Sequence, residues 1–265
     1  MSYVQAIIIA IIEGITEFLP ISSTGHMIIA SSFMKIAQDD FTKLFIIVIQ
    51  LGAIFSVIIL YWKRFFQTVD FYLKLLVAFI PAIILGLLLN NVINDMLESP
   101  ITVAVSLVIG GLILLKVDKW FPENENTITN SNVSYATALK IGLFQTIAMI
   151  PGVSRSGATI VGGMSQKLSR RAAAEFSFFL AIPTMLGATC LKLYQYFNNG
   201  FELNSQQFNI LIIGNIVAFV VAMIAIKSFI EYLTKHGFKI FGYYRIIVGL
   251  AILLIHYFYY PLSTI

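Results

Sequence analysis

The chain has 265 residues, of which 58% are hydrophobic and only 11% charged, and its mean hydropathy is +0.88. Soluble domains carry about a quarter charged residues, so soluble folds are excluded, helical solenoids with polar faces among them, and an all-α integral membrane protein is implied. The net charge of +4 does not signal nucleic acid, because the basic residues sit at the edges of apolar runs, where membrane topology accounts for them.

Residues 1–12 are apolar, carry no basic residues ahead of them and run straight into Glu13, so they are expected to stay in the mature protein as no cleaved signal would. A spanning helix needs about 20 apolar residues, and this stretch is too short. It leads into Glu13, Glu17, Pro20, Ser22, Ser23, Thr24, Gly25 and His26. Charges in hydrocarbon cost about 2.5–3.5 kcal/mol each on insertion scales, which marks such residues as functional. Glu13 and Glu17 are four apart, on one helical face, where like charges repel unless a proton or a cation intervenes. Oxygen ligands at that spacing suit Mg²⁺ or Ca²⁺. Ser22, Ser23, Thr24 and Gly25 form a break where backbone amides can converge on an anion, a role that competes with plain helix capping. His26 beside them can activate a nucleophile or protonate a leaving group.

Charge-free runs at 44–62, 75–94 and 99–115 read as spans. The polar stretch 116–132 reads as a solvated connector. A second broken stretch follows, with residues 141–154 and 156–166 too short to span and interrupted by Pro151, Gly152, Ser154, Arg155, Ser156, Gly157 and Thr159. Arg155 can grip phosphate oxygens bidentately and offset transition-state charge, with Ser154, Ser156, Gly157 and Thr159 as an anion cradle; a structural ion pair between Arg155 and a Glu of the first motif is the competing role. Runs at 176–191, 203–226 and 246–265 complete six spans, the first of them lengthened if Lys192 snorkels. Cys190, alone in its run, permits no disulfide or cysteine metal site and reads as a small buried hydrophobe. His236 is assigned to a loop and His256 to helix packing; Gly86, Gly110, Gly111, Gly214 and Gly249 to close helix contacts; Tyr257 to Tyr260 to an interfacial aromatic belt.

A shift of 132 residues places Gln145 on Glu13, Ser154 on Ser22 and Gly157 on Gly25. Each half, 1–116 and 134–265 about a connector at 117–133, then holds one re-entrant hairpin (about 1–34 and 136–166) and three spans. Three is odd, so the halves enter from opposite faces, an inverted-topology repeat with its binding site between the broken helices. The charge census agrees. Lys63, Arg64, Lys74, Lys116, Lys119, Lys140, Lys167, Arg170, Arg171, Lys227, Lys235, Lys239 and Arg245 fall on one face, and only Lys35, Lys43 and Lys192 on the other. The first face is therefore cytoplasmic, and both termini lie outside.

At the two motifs, Glu-x-x-x-Glu with Pro-x-Ser-Ser-Thr-Gly-His and Pro-Gly-x-Ser-Arg-Ser-x-x-Thr, the chain resembles the BacA/UppP family of bacterial undecaprenyl-diphosphate phosphatases over nearly its full length. The resemblance implies a multi-pass enzyme of the bacterial cytoplasmic (inner) membrane. Such an enzyme removes the terminal phosphate of a polyprenyl diphosphate lipid on the outer face, recycles the carrier for peptidoglycan, depends on a divalent cation and confers bacitracin resistance. Joined to the residue chemistry, it makes Glu13 and Glu17 the ligands of Mg²⁺ or Ca²⁺. Glu17, Ser23, His26 and Arg155 become the catalytic group, with His26 or Glu17 as the proton acceptor and Ser23 or a water as the nucleophile. Ser22, Thr24, Gly25, Ser154, Ser156, Gly157 and Thr159 become the phosphate cradle. Membrane lipids surround the chain, no nucleic acid is expected, and a homodimer is compatible with it. The alternative from another class is a flippase for undecaprenyl phosphate, alone or beside hydrolysis, since broken helices in inverted repeats also serve transporters.

Overall fold

The computed structural model describes residues 1–63, 69–97, 99–128 and 133–258. Among them are eleven helices and no strand. In chain order they are α1 (Tyr3–Thr16), α2 (Ser23–Phe33), α3 (Asp40–Leu60), α4 (Val69–Leu88), α5 (Asn90–Leu97), α6 (Pro100–Trp120), α7 (Tyr135–Ile147), α8 (Arg155–Ser165), α9 (Arg170–Asn198), α10 (Ser205–His236) and α11 (Lys239–Phe258). Six of them, α3, α4, α6, α9, α10 and α11, are long and apolar enough to cross a membrane. At 1.5 Å per residue the 21 residues of α3 reach about 31 Å, the thickness of a hydrocarbon core. Large apolar side chains such as Leu87, Ile216, Ile224 and Ile247 stand exposed on the spans, as lipid contact allows. The chain is a multi-pass membrane protein.

Four helices are too short to cross, and they are the elements flanking the two polar motifs: α1 with α2, and α7 with α8. Side-chain caps mark their starts. Ser2 caps α1 by accepting from Gln5 N, and Ser134 caps α7 by accepting from Thr137 N. Breaks follow at Pro20 and at Pro151–Gly152, and beyond each break a serine takes a positive φ, 67° at Ser22 and 75° at Ser154. Lys35 and Lys167 close α2 and α8, again with positive φ, 56° and 68°. Every one of these features recurs at an interval of 132 residues. Packing follows the same interval, with α1 lying on α10 and α7 on α4.

The spans differ from their charge-free predictions mainly at the ends. α4 begins at Val69 where the run begins at 75, because Lys74 neutralises Asp70 at 2.6 Å one turn earlier and lets the helix start with charges. The same run stops at Leu88, and α5 takes over at Asn90. α10 continues ten residues past the apolar run to His236, which stacks on Tyr232 at 4.6 Å, so this histidine is helical and not in a loop. Arg64 of the basic face, and Tyr259 and Tyr260 of the aromatic end, lie outside the described residues.

Three further expectations are corrected. Cys190 is exposed on α9, not buried; in a span, an outward position meets lipid, so a small apolar side chain gains nothing from burial in protein. Gly86 faces only the Met149 methyl at ordinary distance, whereas Gly111 abuts Gly242 O and Ile246, and Gly249 abuts Ala104 O, each a close α6–α11 approach. The connector is fastened, not merely solvated. Asp118 accepts from Arg170 Nε at 2.9 Å and Phe238 N at 2.8 Å, Glu123 accepts from Arg170 N at 2.7 Å, and Ile128 pairs with Leu168. Residues 129–132 of it lie outside the described residues.

Candidate active site

The two breaks meet in the protein interior. Ser156 Oγ donates to Leu19 O at 2.8 Å, so the start of α8 is tied to the loop after α1. Around this junction lies a cavity of about 230 Å³, lined from the first motif by Glu17, Ser22, Ser23 and Thr24 and from the second by Gln145, Met149, Pro151, Gly152, Ser154 and Arg155. Gln50 of α3, Ala82 of α4 and Thr184, Met185 and Ala188 of α9 close it. At roughly 30 Å³ per water in the liquid, it holds several waters or a phosphate headgroup, and no long lipid tail. The N-termini of α2 and α8 both open on it, each with a partial positive charge, and suit an anion.

Within the cavity a chain of contacts joins the motifs. Ser23 Oγ donates to Glu17 Oε2 at 2.6 Å, and Arg155 Nη2 donates to Glu17 Oε1 at 2.9 Å. Arg155 is held from three further sides: Nη1 donates to Ser177 O at 3.1 Å, Nη2 reaches Met185 Sδ at 3.3 Å, and the guanidinium stands 5.6 Å from the Phe18 ring centroid. Ser23 and Arg155 occupy equivalent positions, each the first residue of its helix. A hydroxyl hydrogen-bonded to a carboxylate that a fixed cation steadies is the arrangement of an activated nucleophile. A developing phosphate charge, in turn, meets Arg155 and two helix N-termini.

Glu13 lies one turn behind Glu17, fully buried, with both carboxylate oxygens lacking a hydrogen-bond partner among the described residues. An ionised or protonated carboxyl left so costs stability, and a hard cation shared with Glu17 and a substrate phosphate would satisfy it. The donor set therefore fits Mg²⁺ or Ca²⁺. Among the described residues no three His, Cys, Asp or Glu cluster as a self-sufficient metal site, so substrate oxygens or water must complete the shell.

Other predicted residues serve the frame around the cavity. His26 does not line it: Nδ1 lies 2.8 Å from Ser22 O, Nε2 lies 2.8 Å from Tyr244 Oη, and the ring stacks parallel on Tyr244 at 5.6 Å. Ser22 O can only accept, so Nδ1 carries a proton. Gly25 packs on Leu107 and Val103 of α6. Gly157 N donates to Ser154 Oγ at 3.1 Å, the cap of α8, and Thr159 Oγ1 contacts Ser177 Oγ at 2.6 Å. The structure thus brings Glu17, Ser22, Ser23, Thr24, Ser154 and Arg155 to the cavity, and leaves Gly25, His26, Ser156, Gly157 and Thr159 one layer away.

Arg245 was counted with the cytoplasmic lysines and arginines, and that placement is corrected. It is 1% exposed and has no carboxylate partner; instead it donates to Pro20 O (3.0 Å), Gly152 O (2.9 Å), Val153 O (2.9 Å), Ser106 O (3.2 Å) and Leu107 O (3.4 Å). A guanidinium carries five N–H donors, and the carbonyls freed at two helix breaks are a matched set of acceptors. Gly110 makes the room, since a Cβ there would press on the guanidinium carbon. A charge near the start of a span looks like an interfacial anchor in sequence, and only the paired glycines of α6 hint otherwise. Gln145 was also passed over as a site residue, being uncharged.

Fold and site together define a polytopic helical membrane protein with a buried, phosphate-sized cavity carrying a hydroxyl, paired carboxylates and a guanidinium. A family-level match to Bacitracin resistance protein BacA covers residues 6–251, and the chain belongs to the BacA family. It is 71% identical over 265 residues, all of both chains, to the undecaprenyl-diphosphatase of Flavobacterium johnsoniae, and 69% identical over the same span to that of Flavobacterium psychrophilum. With the undecaprenyl-diphosphatase of Bdellovibrio bacteriovorus the identity is 54% over 97% of each chain.

Proposed function

We propose that this chain hydrolyses undecaprenyl diphosphate to undecaprenyl phosphate and inorganic phosphate in the bacterial cytoplasmic membrane, and so confers bacitracin resistance by recycling the carrier that the antibiotic sequesters. The observation that carries the chemistry is the contact chain Ser23–Glu17–Arg155 on the wall of a phosphate-sized cavity. The names of the relatives supply the lipid.

We read the architecture as two inverted copies, residues 1–116 and 134–265 joined by 117–133, each with a re-entrant hairpin and three spans. The recurrence at 132 residues of short helices, caps and positive-φ serines supports this, as does the exchange of partners between α1–α10 and α7–α4. The outer face is the one that holds both termini and the mouth of the first hairpin. Met1 N pairs with Asp39 at 3.8 Å at that end, while the ion pairs of Lys74, Arg170 and Lys235 gather at the other.

In the mechanism, Arg155 and the amides at the start of α2 and α8 hold the diphosphate. Ser23 Oγ attacks the terminal phosphorus and passes its proton to Glu17 Oε2; the bond from phosphorus to the bridging oxygen breaks, and undecaprenyl phosphate leaves. Water then attacks the phosphoserine, giving a proton to Glu17, and Ser23 is restored as inorganic phosphate departs. A cation held by Glu13 and Glu17 supplies further neutralisation of phosphate charge. His26 acts through Ser22, fixing the carbonyl of a residue whose backbone is strained. The acyl-like tail stays outside the cavity, among membrane lipids.

The test is phosphate release from undecaprenyl diphosphate by the purified protein in detergent, with and without chelator, on wild type and Glu17→Gln. Release that chelator suppresses and Glu17→Gln lacks is expected; no release by wild type overturns the reading. A second reading, transport of undecaprenyl phosphate, is favoured by the placement of the cavity between matched broken helices. A pure flippase releases no phosphate in detergent.

A further inference from the structure

Three buried polar groups at the site lack a hydrogen-bond partner among the described residues: the Glu13 carboxylate, Arg155 Nε and the amide nitrogen of Gln145. The first is an acceptor and suits a cation. The other two are donors and suit an anion, and Arg155 already has that part. Gln145 does not yet have one. It is 3% exposed, sits in the last turn of α7 and lines the cavity.

A glutamine kept only for packing satisfies both ends of its amide. Here Oε1 lies 3.3 Å from Thr184 Oγ1, whose hydrogen goes to Leu180 O at 2.8 Å. The nitrogen carries two hydrogens, so even with Thr184 turned to it one donor stays unused. α7 is seated on α4 without help from this amide, since Gly142 already abuts the backbone of Ala78. Gln145 also stands 132 residues after Glu13, at the equivalent position of the second broken helix. One copy thus places a carboxylate where a cation is neutralised, and the other a neutral donor where an anion is met.

We infer that Gln145 is a substrate-binding residue whose amide nitrogen donates to a non-bridging phosphate oxygen of the diphosphate, from the wall that Arg155 also occupies. The inference rests on the proposed phosphatase reaction. A carboxylate in its place would face the phosphates and repel them, which gives the position its specificity for glutamine over glutamate.

The experiment is steady-state phosphate release from undecaprenyl diphosphate by the full chain in detergent, for wild type, Gln145→Leu and Gln145→Glu, over a range of Mg²⁺. Loss of a hydrogen bond to a charged group is expected to raise KM about 10- to 100-fold in Gln145→Leu, with kcat little changed. Gln145→Glu should lose more kcat/KM than Gln145→Leu, and its deficit should shrink as Mg²⁺ rises. A structural role instead lowers yield or kcat equally in both variants and leaves KM and its Mg²⁺ dependence alone, and that result overturns the inference. If Gln145→Leu does not fold, the near-isosteric Gln145→Glu decides: a wild-type KM at every Mg²⁺ concentration overturns it. A wild type that releases no phosphate removes the phosphatase reading and this inference with it, whereas an active wild type beside an unaffected Gln145→Glu removes the inference alone.

Discussion

Arg155 is anchored on Ser177 O, Met185 and Glu17, and its Nε edge remains without a partner. That division explains why a lysine cannot replace it. A single ammonium can keep the Glu17 contact or meet a phosphate, and lacks the planar fork to do both. Arg155→Lys and Arg155→Ala are both expected to lose at least ~100-fold in kcat, as removal of one charge-stabilising group typically costs; phosphate release under saturating substrate checks this. Ser23→Ala distinguishes the two nucleophiles weighed from sequence. Loss of turnover with loss of a trappable phosphoserine is expected, and near-normal turnover would show that water attacks directly. Ser22 offers a stability test, since its φ of 67° is one that non-glycine residues adopt at a cost of about 1–3 kcal/mol, and its side chain makes no cap hydrogen bond. Ser22→Gly should raise the thermal midpoint in detergent and lower kcat, because the strain that glycine relieves also fixes the loop before Ser23.

At the scale of elements, what the sequence disclosed and what it withheld divide along a physical line. The broken helices were legible because Pro20, Pro151 and Gly152 are local stops, and because an apolar run of a dozen residues is too short to span. The carboxylates, hydroxyls and Arg155 were legible because charge in an apolar chain is conspicuous. Arg245 was not, since its meaning lies in contacts with residues 92 and 225 positions away. His26 was legible as a titratable group but not as a brace, for its partner Tyr244 is 218 residues distant. The brace itself can be tested. Arg245→Leu leaves five carbonyls with fewer donors in the interior and should unfold the protein or cost more than 3 kcal/mol, in line with breaking a buried hydrogen-bond network. Arg245→Lys should fold with a lowered thermal midpoint and reduced kcat at unchanged KM. Gly152→Ala should be comparably damaging, because φ is +92° there and a Cβ would run into the Val103 backbone.

At the scale of the whole molecule, the proposed inverted repeat makes a prediction about sidedness that needs no enzyme assay. In a Cys190→Ala background, Ser2→Cys should react with a membrane-impermeant thiol reagent in intact cells, and Thr127→Cys only after the membrane is opened. Labelling of both from outside would refute the assigned orientation. The repeat also explains how one duplicated element yields unlike halves of a single centre. Ser23 and Arg155 begin equivalent helices, and Glu13 and Gln145 sit on equivalent turns, so the two copies have diverged into acceptor-rich and donor-rich walls.

The Arg245 clasp has a bearing on how the protein comes into being. Both loops that shape the cavity are gripped by a side chain from α11, the last described helix of the chain. During synthesis, α1 and α8 enter the membrane long before that helix leaves the ribosome, and until it docks against α6 the loop carbonyls have no guanidinium to gather them. A nascent or C-terminally truncated chain therefore holds every hydroxyl, carboxylate and Arg155 of the site without the geometry to use them. Activity switches on with the final insertion step, so an incomplete chain cannot hydrolyse.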